Sequence, residues 1–374
     1  MEIQPRNGGR IDLGIGRPDL ALLPFKELRE AAERYFSLGD VTCLQYAPLA
    51  GAPSLRESLA DFLTRHYQSR VTPEHLFLTA GASHGLDLVS GQVAKPGGTV
   101  LVEAPTYFLA FKVFHSRNLR VVSVPTDSEG LDVVALENLL EVERPVFLYT
   151  IPTHHNPMGA TLSIERRVKL IELANKYEFF IVADEVYQLL NYFGQAPPRL
   201  AAFDHNRVIS LGSFSKILSP GVRLGWIETA PELFSKLGQC GVLQSGGGVS
   251  PFTSAMIESA LALGLQDTYL ERVRNVYGQR CAHMTQVLDS VLPSSVNFVH
   301  PTGGFFVWLE LPESVDSNLL LAEAHDANIG FRPGTLFSPD REFKNFLRLC
   351  FAYYNEAELE WACEQLGRLL TRYL

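Results

Sequence analysis

Chemistry is most concentrated in one short stretch, Gly212-Ser213-Phe214-Ser215-Lys216-Ile217-Leu218-Ser219-Pro220-Gly221-Val222-Arg223. Here three kinds of polar group follow a run, 208–211, that reads as a buried strand. Lys216 stands among Phe214, Ile217 and Leu218. An ammonium in that setting is poorly solvated, so its pKa is expected to fall and its neutral amine becomes accessible. A neutral lysine amine forms a Schiff base with an aldehyde. Ser213, Ser215 and Arg223 supply the donors an anion such as a phosphate requires. A surface lysine in a strand-to-helix loop, with serines as caps, is the competing reading of this stretch alone.

Other reactive or ligand-binding residue types recur at intervals along the chain. Thr79-Ala80-Gly81-Ala82-Ser83-His84-Gly85 opens a helix with small residues, leaving free amides to face an anion. Tyr107 offers an aromatic face for stacking on a planar ring. Asn156 lies in a Pro-flanked loop, Pro152-Thr153-His154-His155-Asn156-Pro157-Met158-Gly159, and can hydrogen-bond a ligand oxygen. The adjacent His154 and His155 lack a spaced third ligand, so a zinc site is not expected. Asp184 follows an apolar run directly and Tyr187 follows it by three, which places both on one side of an opening helical turn. Arg348 is embedded in an apolar run, where its charge needs a carboxylate; a substrate carboxylate or a structural salt bridge would serve.

The elements that must position these residues show as a repeating pattern. Strand-like runs fall at 75–79, 99–103, 120–124, 146–150, 179–183, 207–211 and 224–228, with helix-like runs between them at 83–94, 107–116, 132–140 and 164–177. This alternation implies an α/β fold, a large domain whose mainly parallel seven-stranded sheet is sandwiched by helices. Ligands in such sheets bind beyond the carboxyl ends of the strands, where the candidate residues fall. Helical sequence dominates from 231 to 291, and a new strand-rich composition begins near Ser295. The expected division is a large domain over 40–290 and a smaller α+β domain over 291–374, completed by an N-terminal arm, 1–39.

Composition bounds the function classes. The chain has 374 residues, 46% hydrophobic and 20% charged, with a net charge of −9. That acidity gives no general attraction for nucleic acid or anionic lipid, and an anionic ligand needs a dedicated basic pocket. The five scattered cysteines carry no Cys-x-x-Cys spacing and read as free thiols of a reducing compartment. With no signal-peptide pattern and no membrane-spanning run, a cytoplasmic protein is expected.

Taken together, the ordered set Tyr46, Gly81-Ala82-Ser83, Tyr107, Asn156-Pro157-x-Gly159, Asp184-x-x-Tyr187, Ser213-x-Ser215-Lys216, Arg223 and Arg348 resembles the class I/II aminotransferases. These are pyridoxal 5′-phosphate enzymes of the aspartate aminotransferase fold. The similarity spans essentially the whole chain, and the run around Lys216 is similar to the 2-aminoadipate and kynurenine aminotransferase branch. The resemblance implies that Lys216 carries the cofactor as a Schiff base and later moves the substrate proton. It implies that Asp184 faces the protonated pyridine nitrogen, and that Tyr187 and Asn156 bond the ring's phenolic oxygen. Ser213, Ser215, Arg223 and the amides of Ala82 and Ser83 are implied to hold the phosphate, and Tyr107 to stack on the ring. Arg348 is implied to bind the substrate α-carboxylate, with Gly16 on the substrate side. Tyr46 is implied to reach the partner subunit's phosphate, making the active unit a homodimer.

The chain departs from the family's common pattern at three places: His155 where glutamine is frequent, Cys350 where serine is frequent, and the Ala82-Ser83-His84 run. The implied reaction is transfer of an amino group from an L-amino acid to a 2-oxo acid such as 2-oxoglutarate. A lyase or cyclase acting through the same cofactor is the alternative, with His84, His154 and His155 as candidate acids or bases. A cofactor-sensing regulator is a third reading, disfavoured by the negative net charge and by the expectation that no DNA-binding domain precedes the fold.

Overall fold

The computed structural model describes residues 9–374; residues 1–8 of the expected N-terminal arm lie outside the described residues. An eight-stranded sheet runs, in spatial order, Leu76–Thr79, Gly225–Glu228, Val208–Ser213, Phe180–Asp184, Phe147–Thr150, Thr99–Ala104, Arg120–Asp127 and Gly130–Leu131. The seven expected strands are all present. The sheet gains an eighth, the two-residue strand Gly130–Leu131, which folds back antiparallel onto the end of Arg120–Asp127. It is too short to leave a periodic signal in the sequence.

Five neighbouring strands, from Val208–Ser213 to Arg120–Asp127, are parallel. Their residues alternate between two cores. Val100, Val102, Phe147, Tyr149, Val182, Ile209 and Leu211 pack on one face. Leu101, Leu148, Ile181, Ala183 and Val208 pack on the other. Both faces are buried by helices, which is why these strands read as continuous apolar runs rather than alternating ones. Each fully buried aliphatic or aromatic side chain contributes roughly 1.5–3 kcal/mol. Gly225–Glu228 runs against both its neighbours and closes the sheet toward Leu76–Thr79.

A second sheet of four antiparallel strands has the order Asn297–Phe298, Phe306–Glu310, Phe346–Cys350, Arg332–Pro333. Its pairing sets Arg332 directly opposite Arg348. The early strand Ile11–Asp12 pairs in parallel with Ile329–Gly330. The Cys350 amide also donates to the Leu13 carbonyl at 2.7 Å. The chain's first described segment is thereby fastened to its last third. The 27-residue helix Leu265–Val291 packs against the C-terminal helix Glu356–Tyr373. The latter starts with a capping box in which Asn355 and Glu358 bond each other's amides.

Candidate active site

The strand Val208–Ser213 ends where Ser213 caps a one-turn helix, Phe214–Ile217, its Oγ accepting from the Ser215 amide at 3.1 Å. That turn throws Lys216 into a cavity of about 570 Å³. Gly212 is required just before it, because a Cβ there would sit 2.0 Å from the Trp226 indole. The Lys216 Nζ donates to the Gly16 carbonyl at 3.0 Å and stands 5.4 Å from the Phe305 ring centroid. Burial pulls its pKa from 10.5 to about 8, the Arg348 charge acting in the same direction.

Asp184, the last residue of its strand, lines the same cavity. Its position follows from strand register. Tyr149 and Val182 are cross-strand partners on one face, and Asp184 lies two residues beyond Val182 on that face. The Tyr149 hydroxyl therefore reaches Asp184 Oδ2, donating at 2.7 Å. Asp184 Oδ1, also buried, makes no hydrogen bond. Burial raises the carboxyl's pKa, and the Tyr149 hydrogen bond opposes the rise. A buried carboxylate with one oxygen free is suited to a cationic N–H partner. The expected helical turn after Asp184 is instead a chain of turns. Gln188 N bonds Glu185 O and Leu190 N bonds Tyr187 O, because Leu189 and Leu190 bury themselves before a helix can extend. Tyr187 still faces the cavity, its ring edge-on to Phe305 and Phe306.

The opposite wall comes from the four-stranded sheet. Arg348 is 4% exposed and has no carboxylate partner among the described residues. Its Nη1 donates to Asn156 Oδ1 at 2.8 Å and its Nη2 to the Gly14 carbonyl at 2.9 Å. Its Nε makes no hydrogen bond, and its guanidinium lies 4.1 Å from the Phe306 ring centroid. Burial lowers its pKa to about 10. The structural salt bridge is thus replaced by neutral partners, which hold the group in place and leave its charge available to an anion. Because Asn156 Oδ1 is taken by Arg348, its amide group remains to donate to a ligand.

At the far end of the cavity, Gly81 has φ +93, a left-handed backbone that glycine adopts freely. It opens the helix Ala82–Val93 without any side-chain cap, and Ala82 and Ser83 both line the cavity. Arg223 arrives beside them, its Nη2 donating to the Ala80 carbonyl at 2.7 Å. Ser213 and Ser215 complete this end, their hydroxyls 3.0 Å apart. An uncapped helix start, two hydroxyls and a guanidinium form an anion cradle. Tyr107, the residue just before the helix Phe108–Ser116, forms a side wall; burial pushes its pKa up to about 12, with the Asp184 charge adding to it.

Of the residues implied to contact cofactor or substrate, only Tyr46 does not line this cavity; it is 82% exposed. None of the three candidate histidines lines it either. His84 Nδ1 accepts from the Ala80 amide at 2.9 Å. His154 is enclosed, with burial lowering its pKa to about 3. His155 Nε2 lies 3.1 Å from Glu103 Oε2, and Glu103 also accepts from Thr150 Oγ1 and the Ile151 amide, each at 2.8 Å. These contacts explain the histidine before Asn156: it anchors the loop that presents Asn156. Sequence reasoning missed Tyr149, Arg17, Phe306 and Arg332. The last had a usable signal, an arginine inside the apolar run Ile329-Gly330-Phe331-Arg332-Pro333.

Comparison with known proteins agrees with this geometry. A 2-aminoadipate transaminase from Thermus thermophilus is 35% identical over 371 residues, covering 98% of this chain and 91% of that protein. Among solved structures, a multiple substrate aminotransferase from Thermococcus profundus superposes with a TM-score of 0.92 at 32% identity, covering 98% of this chain and 92% of the other. An α-aminoadipate aminotransferase from Thermus thermophilus, complexed with N-(5′-phosphopyridoxyl)-L-leucine, gives 0.89 at 34% identity, covering 98% and 93%. The family described as aminotransferase class I and II matches residues 9–366, so the cavity that gathers Lys216, Asp184 and Arg348 is that of a chain belonging to the class I and II aminotransferases.

Proposed function

We propose that this enzyme moves an amino group from an L-amino acid to a 2-oxo acid such as 2-oxoglutarate, with pyridoxal 5′-phosphate as its cofactor and the residues of the cavity in the following roles. The observation that carries the reading is the pairing, in one cavity, of a depressed lysine with a buried arginine that lacks a carboxylate. The residues fit the cofactor on three counts: the free Oδ1 of Asp184, the uncapped helix start at Ala82 and Ser83, and the phosphate-sized group of donors from Ser213, Ser215 and Arg223. When bound, the cofactor supplies an aldehyde for the lysine and an electron-accepting ring that takes up the charge left when an α-proton departs.

The chain's own residues do the rest. Asp184, with its buried Oδ1 free, would face the ring nitrogen and keep a proton on it. Tyr149 keeps that carboxylate ionised and oriented. Tyr107 would cover one face of the ring, and Tyr187 and the Asn156 amide would donate to its phenolic oxygen. Arg348 binds the substrate α-carboxylate and fixes the α-carbon near Lys216. Lys216, whose amine loses its proton above about pH 8 instead of 10.5, would take the α-proton in its neutral form and deliver it to the carbon that the cofactor's aldehyde supplies. The apolar lining of Ile151, Phe306 and Leu86 limits water at the reacting atoms.

Residues 40–290 and the set 1–39 with 291–374 are taken as two domains that bring Lys216 and Arg348 to opposite walls. A homodimer is proposed, with Tyr46 entering the partner's site. Its exposure is supported by apolar neighbours that also face outward: Phe36 at 59%, Val41 at 71% and Leu44 at 74%. The five free cysteines favour a cytoplasmic setting.

The test is to incubate the purified holoenzyme with single amino acids and 2-oxoglutarate and to measure glutamate. Formation of glutamate with loss of one donor is expected. Retained cofactor with no amine transfer across a broad panel, or release of ammonia without a 2-oxo acid, would sink the reading.

A further inference from the structure

The cavity carries more positive charge than the proposed reaction uses. Its charged lining consists of Arg17, Lys216, Arg223, Arg332 and Arg348 against one acid, Asp184. On the roles given above, Arg223 answers the phosphate, Arg348 the α-carboxylate, and Lys216 the reacting carbon. Arg332 is already matched, with Nη2 3.3 Å from Asp12 Oδ2 and Nη1 3.4 Å from Asp12 Oδ1. Arg17 remains. It has no acidic partner among the described residues, and its guanidinium rests 5.3 Å from the Tyr353 ring centroid.

The backbone leading to Arg17 is fastened to both reacting anchors. The Gly14 carbonyl accepts from Arg348 Nη2 at 2.9 Å and the Gly16 carbonyl accepts from Lys216 Nζ at 3.0 Å. A substrate whose α-carboxylate lies on Arg348 and whose α-carbon lies at Lys216 therefore has the segment 14–17 alongside it. Arg17 is the next residue along, with its Cα about 3.8 Å beyond that of Gly16. Gly16 has no side chain to block the way, and a Cβ there would meet Phe306 at 3.1 Å. An arginine presents a planar fork of donors that suits a carboxylate. It is exposed at the mouth of the cavity, where a long side chain's end would arrive.

We propose that Arg17 is a specificity-determining residue that binds a second acidic group at the far end of the substrate side chain, so that dicarboxylic amino and 2-oxo acids are preferred over their neutral isosteres. This rests on the transamination reading above. Its weight comes from elimination of the other four cations and from the tethering of the 14–17 segment.

The experiment compares L-glutamate with L-glutamine as donors, in half-reactions followed by the cofactor's absorbance change, for the wild type, Arg17→Gln and Arg17→Lys. The wild type is expected to favour glutamate. Arg17→Gln should lower the glutamate-to-glutamine ratio of kcat/KM tenfold or more, chiefly through KM, and Arg17→Lys should recover part of it. Equilibrium binding of glutarate, read from the same absorbance band without turnover, should weaken in parallel. An unchanged ratio with unchanged glutarate binding, or an equal loss for both donors, overturns the proposal alone. A wild type inert to every donor overturns the transamination reading and this inference with it.

Discussion

Replacing Lys216 by methionine should stabilise the cofactor-free protein in a pH-dependent way while removing its chemistry. Methionine keeps a similar unbranched apolar stem and carries no charge. In the folded protein burial holds the ammonium at about 8 instead of 10.5. At neutral pH the folded state thus carries a proton that it binds less firmly than the unfolded chain does. At about 1.4 kcal/mol per pH unit this gap has an upper bound of roughly 3 kcal/mol, and water in the open cavity screens part of it, leaving about 1–2 kcal/mol. The sign follows from linkage. Below pH 8 both states are protonated and the cost of the buried charge is complete; it shrinks as the pH climbs toward 10.5, where both states lose the proton. The lost hydrogen bond to the Gly16 carbonyl offsets about 1 kcal/mol at every pH, so it cancels from the pH dependence. Urea unfolding of both proteins at pH 7 and pH 10 reads the difference. The stability of Lys216→Met relative to wild type should be greater at pH 7 by about 1–2 kcal/mol. A relative stability that does not change with pH would refute the claim that Lys216 is held with a depressed pKa.

Three further outcomes are expected. Arg348→Lys should raise KM for the amino acid about ten- to a hundredfold, since an ammonium cannot hold Asn156, Gly14 and a carboxylate in one plane; steady-state kinetics decides, and a purely kcat effect would contradict it. Tyr149→Phe removes the donor that opposes the rise in the Asp184 pKa, so the acidic limb of the kcat profile should move to higher pH and the loss of rate should be greatest at low pH. A uniform loss across pH would mean that Tyr149 acts only through packing. Leu44→Asp, at a position 74% exposed beside Tyr46, should shift sedimentation from dimer toward monomer and lower activity in proportion; an unaltered dimer would show that the apolar stretch 36–49 lies outside the interface.

Much of the scaffold was legible from local pattern alone. Seven five-residue, mainly apolar runs alternating with helix-like ones can bury both faces of a sheet in only a few ways, and one of them brings five loops to a common edge. Lys216, Asp184 and the Gly81 turn were visible because each sits within a residue or three of a strand end, so that short-range geometry places it. The weaker expectations were those that depended on how a loop continues. The turns at 185–190 stand where a helix was expected, because burial of Leu189 and Leu190 overrode local spacing.

The contacts that tune these groups belong to the fold. Arg348 meets Asn156 across 192 positions, Lys216 meets Gly16 across 200, and Arg332 meets Asp12 across 320. No periodicity spans such separations; they exist because two sheets and an N-terminal segment pack around one cavity. Whether Arg348 pairs with a carboxylate or with neutral groups, and whether Asp184 keeps a free oxygen, depends on which atoms packing brings within about 3 Å, and composition along the chain carries no record of that distance. Residue types and their spacing therefore specified which chemistry was possible, and packing set the charges, partners and open coordination that make it usable.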